Sequence, residues 1–165
     1  YIGASIRRRK PTGFGRYTVI IKPARGAGVI TGFFTYTGPH YGTRHDEIDI
    51  EFLGKNTRQI HIATFVDGKR WNRFIDLGFD ASDRPRSYSF EWGRNSVRWY
   101  VEGKMIYQRQ EKDGAIPSVP SMLFANIWAA DPSIKIWSGV TVKNTRATAK
   151  ILRMGFEPKA GDLDS

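Results

Sequence analysis

Apolar and polar residues alternate one by one along most of this chain, and a period of two can bury one face only as a strand. Ser87-Tyr88-Ser89-Phe90-Glu91-Trp92 is the cleanest instance. The same period predicts strands over residues 16–22, 29–37, 47–53, 59–65, 71–77, 87–92, 96–101, 105–108, 122–129 and 148–156. Pro23, Gly38-Pro39 and Gly54 stop the first three, and Asp67-Gly68 and Glu102-Gly103-Lys104 read as hairpin turns. No amphipathic pattern runs longer than two helical turns. Many short strands with turn residues between them predict an all-β sandwich or barrel. With no repeat and no linker, residues 1–157 are expected to form one domain, and 158–165 a flexible tail.

Composition narrows the function classes. No apolar run approaches the roughly 18 residues of a membrane span. There is no cysteine, which removes disulfides and thiolate metal sites. The net charge of +10 favours an anionic partner, with the densest run at Arg7-Arg8-Arg9-Lys10 and others at Arg84/Arg86 and Lys143 to Arg153. Solubility alone explains such a charge equally well.

One predicted strand is anomalous. In Asp46-Glu47-Ile48-Asp49-Ile50-Glu51-Phe52 the three residues Ile48, Ile50 and Phe52 share a face, and Glu47, Asp49 and Glu51 share the other. Three carboxylates in a row repel one another, and acidic residues are poor strand formers. The row serves chemistry better than stability, because neighbouring negative charge keeps at least one member protonated. A protonated carboxyl beside an ionised one is what glycoside hydrolysis uses. At about 3.3 Å per residue the Cα atoms of Glu47 and Glu51 lie about 13 Å apart. Side chains leaning together on a concave strand would have to close most of that gap to about 5–5.5 Å for a retaining mechanism. A solvated face paired with Lys or Arg across the sheet, or a divalent metal cluster, would use the same residues.

The run from His45 to Gly54, His-Asp-Glu-Ile-Asp-Ile-Glu-Phe-Leu-Gly, resembles the signature strand of glycoside hydrolase family 16. That family includes bacterial lichenases, laminarinases, glycanases of rhizobial succinoglycan and plant xyloglucan endotransglycosylases. Phe33 to Pro39, Leu77 to Asp80, Trp99 to Gly103 and Asn126-Ile127-Trp128 fall in the lichenase order, so the resemblance spans about Gly3 to Phe156. It implies a jelly-roll sandwich of two curved antiparallel sheets, with a cleft on the concave face. It also implies an endo-acting β-glycanase that retains anomeric configuration, with Glu47 as nucleophile, Glu51 as general acid/base and Asp49 as their helper. The substrate would be β-1,3/1,4-linked glucan or, given the charge, an acidic bacterial exopolysaccharide. Arg7, Phe34, Tyr36, His45, His61, Asn126 and Trp128 are expected to bind it, with Trp92 and Trp99 in the core.

Departures from the lichenase pattern qualify this. His45 replaces a substrate-stacking Trp and His61 a Gln, and transglycosylases have His at both places, so transglycosylation is an alternative. Ser5 and Ala63 replace a Glu and an Asn, which loosens the expected linkage specificity. Leu152 stands where lichenases use an Asp to help hold a calcium, so neither a metal nor any cofactor is expected. Family members also have further chain before the point matching Tyr1, so the domain is expected to be incomplete at its N-terminus. A monomer is expected if the domain is complete, and a partner segment or self-association along the open edge if not. A weakly catalytic carbohydrate-binding domain is a further alternative. A nucleic-acid or membrane partner is not expected, since no motif supports either and an acidic cleft repels phosphate. Secretion is the expected fate of such an enzyme, although no export segment opens the chain.

Overall fold

The computed structural model describes residues 3–159. Eleven strands form two sheets in which every pairing is antiparallel. The first holds β1 (Ala4–Arg7), β3 (Val29–Thr37), β4 (Asp46–Leu53), β5 (Gln59–Val66), β6 (Lys69–Asp76) and β10 (Met122–Ala129), in the order β1-β10-β3-β4-β5-β6. The second holds β2 (Gly15–Lys22), β7 (Arg86–Gly93), β8 (Ser96–Val101), β9 (Lys104–Gln110) and β11 (Lys150–Pro158), in the order β11-β2-β7-β8-β9. Helix is confined to 3-10 turns and one short α-helix, α1 (Lys135–Ser138).

The inner faces meet in one core. Phe33, Ile48, Ile50, Phe52, Ile60 and Ile62 come from the first sheet, and Tyr17, Val19, Tyr88, Phe90, Trp92 and Trp99 from the second. Each is buried, and full burial of such a side chain is worth about 1.5–3 kcal/mol. Trp99 Nε1 donates to the Asp49 carbonyl oxygen at 3.1 Å, tying the second sheet to the middle of β4. Both predicted hairpins are present. Asp67-Gly68 has φ of 50° and 75°, and Glu102-Gly103 has 49° and 77°, the paired positive values that let a two-residue turn follow the strand twist. Such a turn leaves no spare residue, which is why β6 begins at Lys69 rather than at residue 71.

The structure departs from the sequence reading in several places. The sequence reading has no strand at β1, because its alternation lasts only four residues, all of them exposed on a sheet edge. β11 runs from Lys150 to Pro158, one residue into the expected tail, and the N–H of the next residue, Lys159, donates to Phe14 O at 3.3 Å. The remaining tail positions, 160–165, lie outside the described residues. Arg86 is no part of a free basic patch. It is 7% exposed, bonded to Asp83 and the Asp80 carbonyl, and stacked over Phe79. Leu152 is the extra residue of a β-bulge between Ile151 and Arg153 and is 66% exposed. It gives a calcium no side-chain oxygen.

Candidate active site

The outer face of the first sheet carries the acidic row. Register places Glu47 between Tyr36 of β3 and Phe65 of β5, Asp49 between Phe34 and Ala63, and Glu51 between Gly32 and His61. Beyond β3, the rows continue into Met122, Phe124 and Asn126 of β10, with Arg7 opposite Phe124 and Ser5 opposite Asn126. Every residue singled out from the sequence for this site therefore belongs to one sheet face or to its immediate rim. The row lines a cleft of about 720 Å³ with His61, Phe65, Phe74, Trp128 and Trp137 among its walls.

Asp46 shows how the strand is anchored. Its alternate position sends it under the sheet, where it is fully buried. Burial alone would raise its pKa, but the Arg44 guanidinium and the backbone N–H groups of Ser118, Asp67 and Val119 outweigh that and hold it below the ordinary range.

The outward carboxylates behave differently. Burial raises Asp49 well above the ordinary Asp range, helped by the charges of Glu47 and Glu51 and by its hydrogen bond to Glu47. Glu47 is also raised by burial, with its bonds to His45 and Asp49 pulling the other way. When protonated, Asp49 donates a hydrogen bond to Glu47, which limits the negative charge in the row. Two histidines complete the arrangement. His45 Nε2 lies 2.5 Å from Glu47 Oε2, and His61 Nδ1 lies 2.9 Å from Glu51 Oε2. The His45 ring stacks on Phe65 and meets Tyr36 edge-on. His61 is 3% exposed, packed between Phe74 and Trp137. Its Nδ1 faces Glu51, and the residue also lines the cleft.

The predicted binding residues divide into two groups. Trp128 lines the cleft and stacks with Trp137 at 6.4 Å. Asn126 Oδ1 is buried, with no hydrogen-bond partner in the protein, above the bare Cα of Gly32. Phe34 and Tyr36 share the acidic face but lie on the β10 side of the row. There Phe34 stacks on Phe124 at 5.1 Å, and Tyr36 packs against Tyr41 and Phe124. Arg7 Nη1 donates to the Tyr41 hydroxyl at 2.9 Å. Trp137 was missed, because α1 spans one turn and shows no period. Phe65, Phe74 and Arg70 were missed too, although their outward phase in β5 and β6 follows from the Asp67-Gly68 turn. Among the described residues, no group of three or more His, Asp or Glu side chains is gathered to hold a metal.

Comparison with known proteins matches the sequence to glycosyl hydrolases family 16 over residues 1–151. The chain belongs to that family. The β-glucanase of Bacillus amyloliquefaciens is 43% identical over 117 residues, 70% of this chain and 48% of that protein. The β-glucanase of Bacillus licheniformis is 39% identical over 133 residues, 78% of this chain and 54% of that protein. The chain thus spans about half the length of these relatives. The solved B. licheniformis β-glucanase superposes with a TM-score of 0.87 at 35% identity, covering 92% of this chain and 70% of that one. A prokaryotic β-1,3-1,4-glucanase (lichenase) from a mouse hindgut metagenome gives 0.88 at 36% identity, covering 93% and 71%. The fold is the jelly-roll sandwich of this family. The Crh5 transglycosylase shares that fold, with a TM-score of 0.81 at 20% identity.

Proposed function

We propose that this family 16 chain is an endo-acting, retaining β-glycanase, exported to act on β-1,3/1,4-linked glucan or on an acidic exopolysaccharide. The observation that carries this is the row Glu47, Asp49, Glu51 on one strand face in a cleft, with both glutamates within hydrogen-bond distance of a histidine. In the first step a Glu47 carboxylate oxygen bonds to the anomeric carbon. The glycosidic C–O bond breaks, and the leaving oxygen takes a proton from Glu51. In the second step water attacks the same carbon, gives a proton to Glu51 and releases Glu47. Asp49 favours this by keeping its own proton and donating a hydrogen bond to Glu47, while His45 opposes the tendency of burial to neutralise the nucleophile.

The walls fit a sugar chain. Trp128, Phe65 and Phe74 offer apolar surfaces, and Asn56 and Gln59 line the same cleft with polar side chains. Arg70 lines the same cleft and supports an anionic substituent on some sugars. Transglycosylation is the second reading, supported by the largely apolar wall of Trp128, Trp137 and Ile134, on which an acceptor sugar would displace water. The test is reducing-sugar release and product size on lichenan, laminarin, xyloglucan and succinoglycan, with Glu47→Gln and Glu51→Gln as controls. Release that falls by at least about 10²-fold in both controls supports hydrolysis. Lengthened products with added acceptor support transfer, and binding without release from any substrate refutes both.

A further inference from the structure

We infer that Phe65 is a positioning residue for the nucleophile and acts through His45: the phenyl ring holds the imidazole, and the imidazole holds one oxygen of Glu47. This role rests on the assignment of Glu47 as nucleophile. The sequence marks His45 and Tyr36 as sugar-binding residues and leaves Phe65 unmarked. Their geometry gives all three a shared task at Glu47.

Register sets Glu47 of β4 between Tyr36 of β3 and Phe65 of β5. His45 stands two residues before Glu47, just outside β4, and its carbonyl oxygen accepts from Gly68 N at 3.0 Å. Its main chain is thereby tied to the Asp67-Gly68 turn, which follows Phe65 at the end of β5. The imidazole lies nearly flat on the Phe65 ring, with centroids 4.7 Å apart and planes 20° from parallel. Tyr36 meets the imidazole edge-on at 5.2 Å and 60°. Two rings from two different strands thus restrict how the His45 side chain can turn. In that orientation Nε2 lies 2.5 Å from Glu47 Oε2. An ionised carboxylate can only accept, so Nε2–H is the donor when Glu47 is ready to attack. Among the described residues, Glu47 and Phe65 line the cleft and His45 does not.

Glu47 needs such support. Burial is the largest influence on its carboxyl and favours the neutral form, while the hydrogen bonds from His45 and Asp49 oppose it. A glutamate side chain also turns about several bonds, and attack on an anomeric carbon requires one of its oxygens in line with that carbon. A misplacement of about 1 Å costs on the order of 10²-fold in rate. Removing the ring under His45 therefore loosens the donor, then the nucleophile, and the loss falls on the chemical step.

The test is a double-variant cycle on β-glucan, with kcat and KM measured for the wild type, His45→Gln, Phe65→Ala and the two combined. We expect kcat to fall about 10–100-fold in His45→Gln and about tenfold in Phe65→Ala. In the double variant the loss in kcat should match that of His45→Gln alone, since Phe65 then has no imidazole to hold. Additive losses, or losses confined to KM, would give Phe65 a separate role and overturn the inference. Phe65→Tyr keeps the stacked ring and should recover most of what Phe65→Ala loses; a variant as slow as Phe65→Ala would count against the stack. Labelling by a dinitrophenyl fluoro-cellobioside isolates the attack, because its leaving group departs without a proton. Mass spectrometry should show Glu47 labelled more slowly in both single variants, and labelling at the wild-type rate would overturn the inference. If the wild type neither cleaves glycan nor takes the label, the glycanase reading fails. The Nε2–H proton resonance of His45, expected in the wild type and lost in Phe65→Ala, then still decides whether the ring holds the hydrogen bond.

Discussion

Asp46 and Asp49 share one strand, yet burial acts on them with opposite results. Asp46 is held below its ordinary range, so its bonds stabilise the fold above pH 3.8 and that contribution is lost as pH falls through its folded value. Asp49 is raised, so the folded chain binds a proton that the unfolded chain has released, and stability declines as pH rises from 3.8 through the raised value. Asp49→Asn should therefore raise the melting temperature at pH 7 and lose that advantage toward pH 4. Each kcal/mol recovered is worth about 2–4 °C for a chain of this size, and calorimetry at both pH values reads it. Gly32 offers a second test. A Cβ there would lie 2.6 Å from Asn126 Oδ1, the movable end of a side chain. Gly32→Ala should swing Asn126 aside, changing stability by less than about 1 kcal/mol in denaturant titration while glycan turnover drops at least tenfold. Period-two reading was enough to put Glu47, Asp49 and Glu51 on one face. It did not reveal what holds Asp46, because Ser118 and Val119 approach from far along the chain.

Between strands, the segment after β10 closes one end of the cleft. It is pinned by main-chain bonds from Gly28 N to Ser138 O and from Ala130 N to Gly28 O, both 2.8 Å, and by Lys55 on Ile136 O. Gly28 has φ of 77°, and a Cβ would meet Thr141 N at 2.4 Å, so the segment seats only over a glycine. Gly28→Ala should cost about 1–3 kcal/mol in denaturant unfolding from the backbone conformation alone and loosen Trp137, seen as a change in tryptophan fluorescence. Turns of this protein were legible because Asp-Gly and Glu-Gly each encode a local conformation. The clip was not, since Gly28 and Ser138 signal nothing until tertiary packing brings them together.

At the scale of the whole molecule, the basic balance and the acidic row are separated by more than distance. Arg16, Arg25, Arg44 and Arg86 are tied to Glu91, Asp80, Asp46 and Asp83. Arg70, in contrast, faces the cleft. If its charge recruits anionic polymer, turnover of succinoglycan should fall severalfold between 0.05 and 0.5 M salt, as screening shortens to a few ångström, while lichenan turnover stays flat. Equal salt dependence on both would remove charge from substrate selection.

Strands β3 to β6 are consecutive in the chain and adjacent in the sheet, whereas β10 must come from far downstream to pair with β3. Both glutamates and both histidines are therefore encoded within residues 29–76, and the tryptophan wall only in 128–137. During synthesis the acidic row leaves the ribosome long before the tryptophans that line the cleft with it. Because short-range pairings close faster than long-range ones, pulse-labelled exchange during refolding should protect the amides of β4 and β5 before those of β10. The nascent chain would then carry the acidic row for a time without the wall that encloses it.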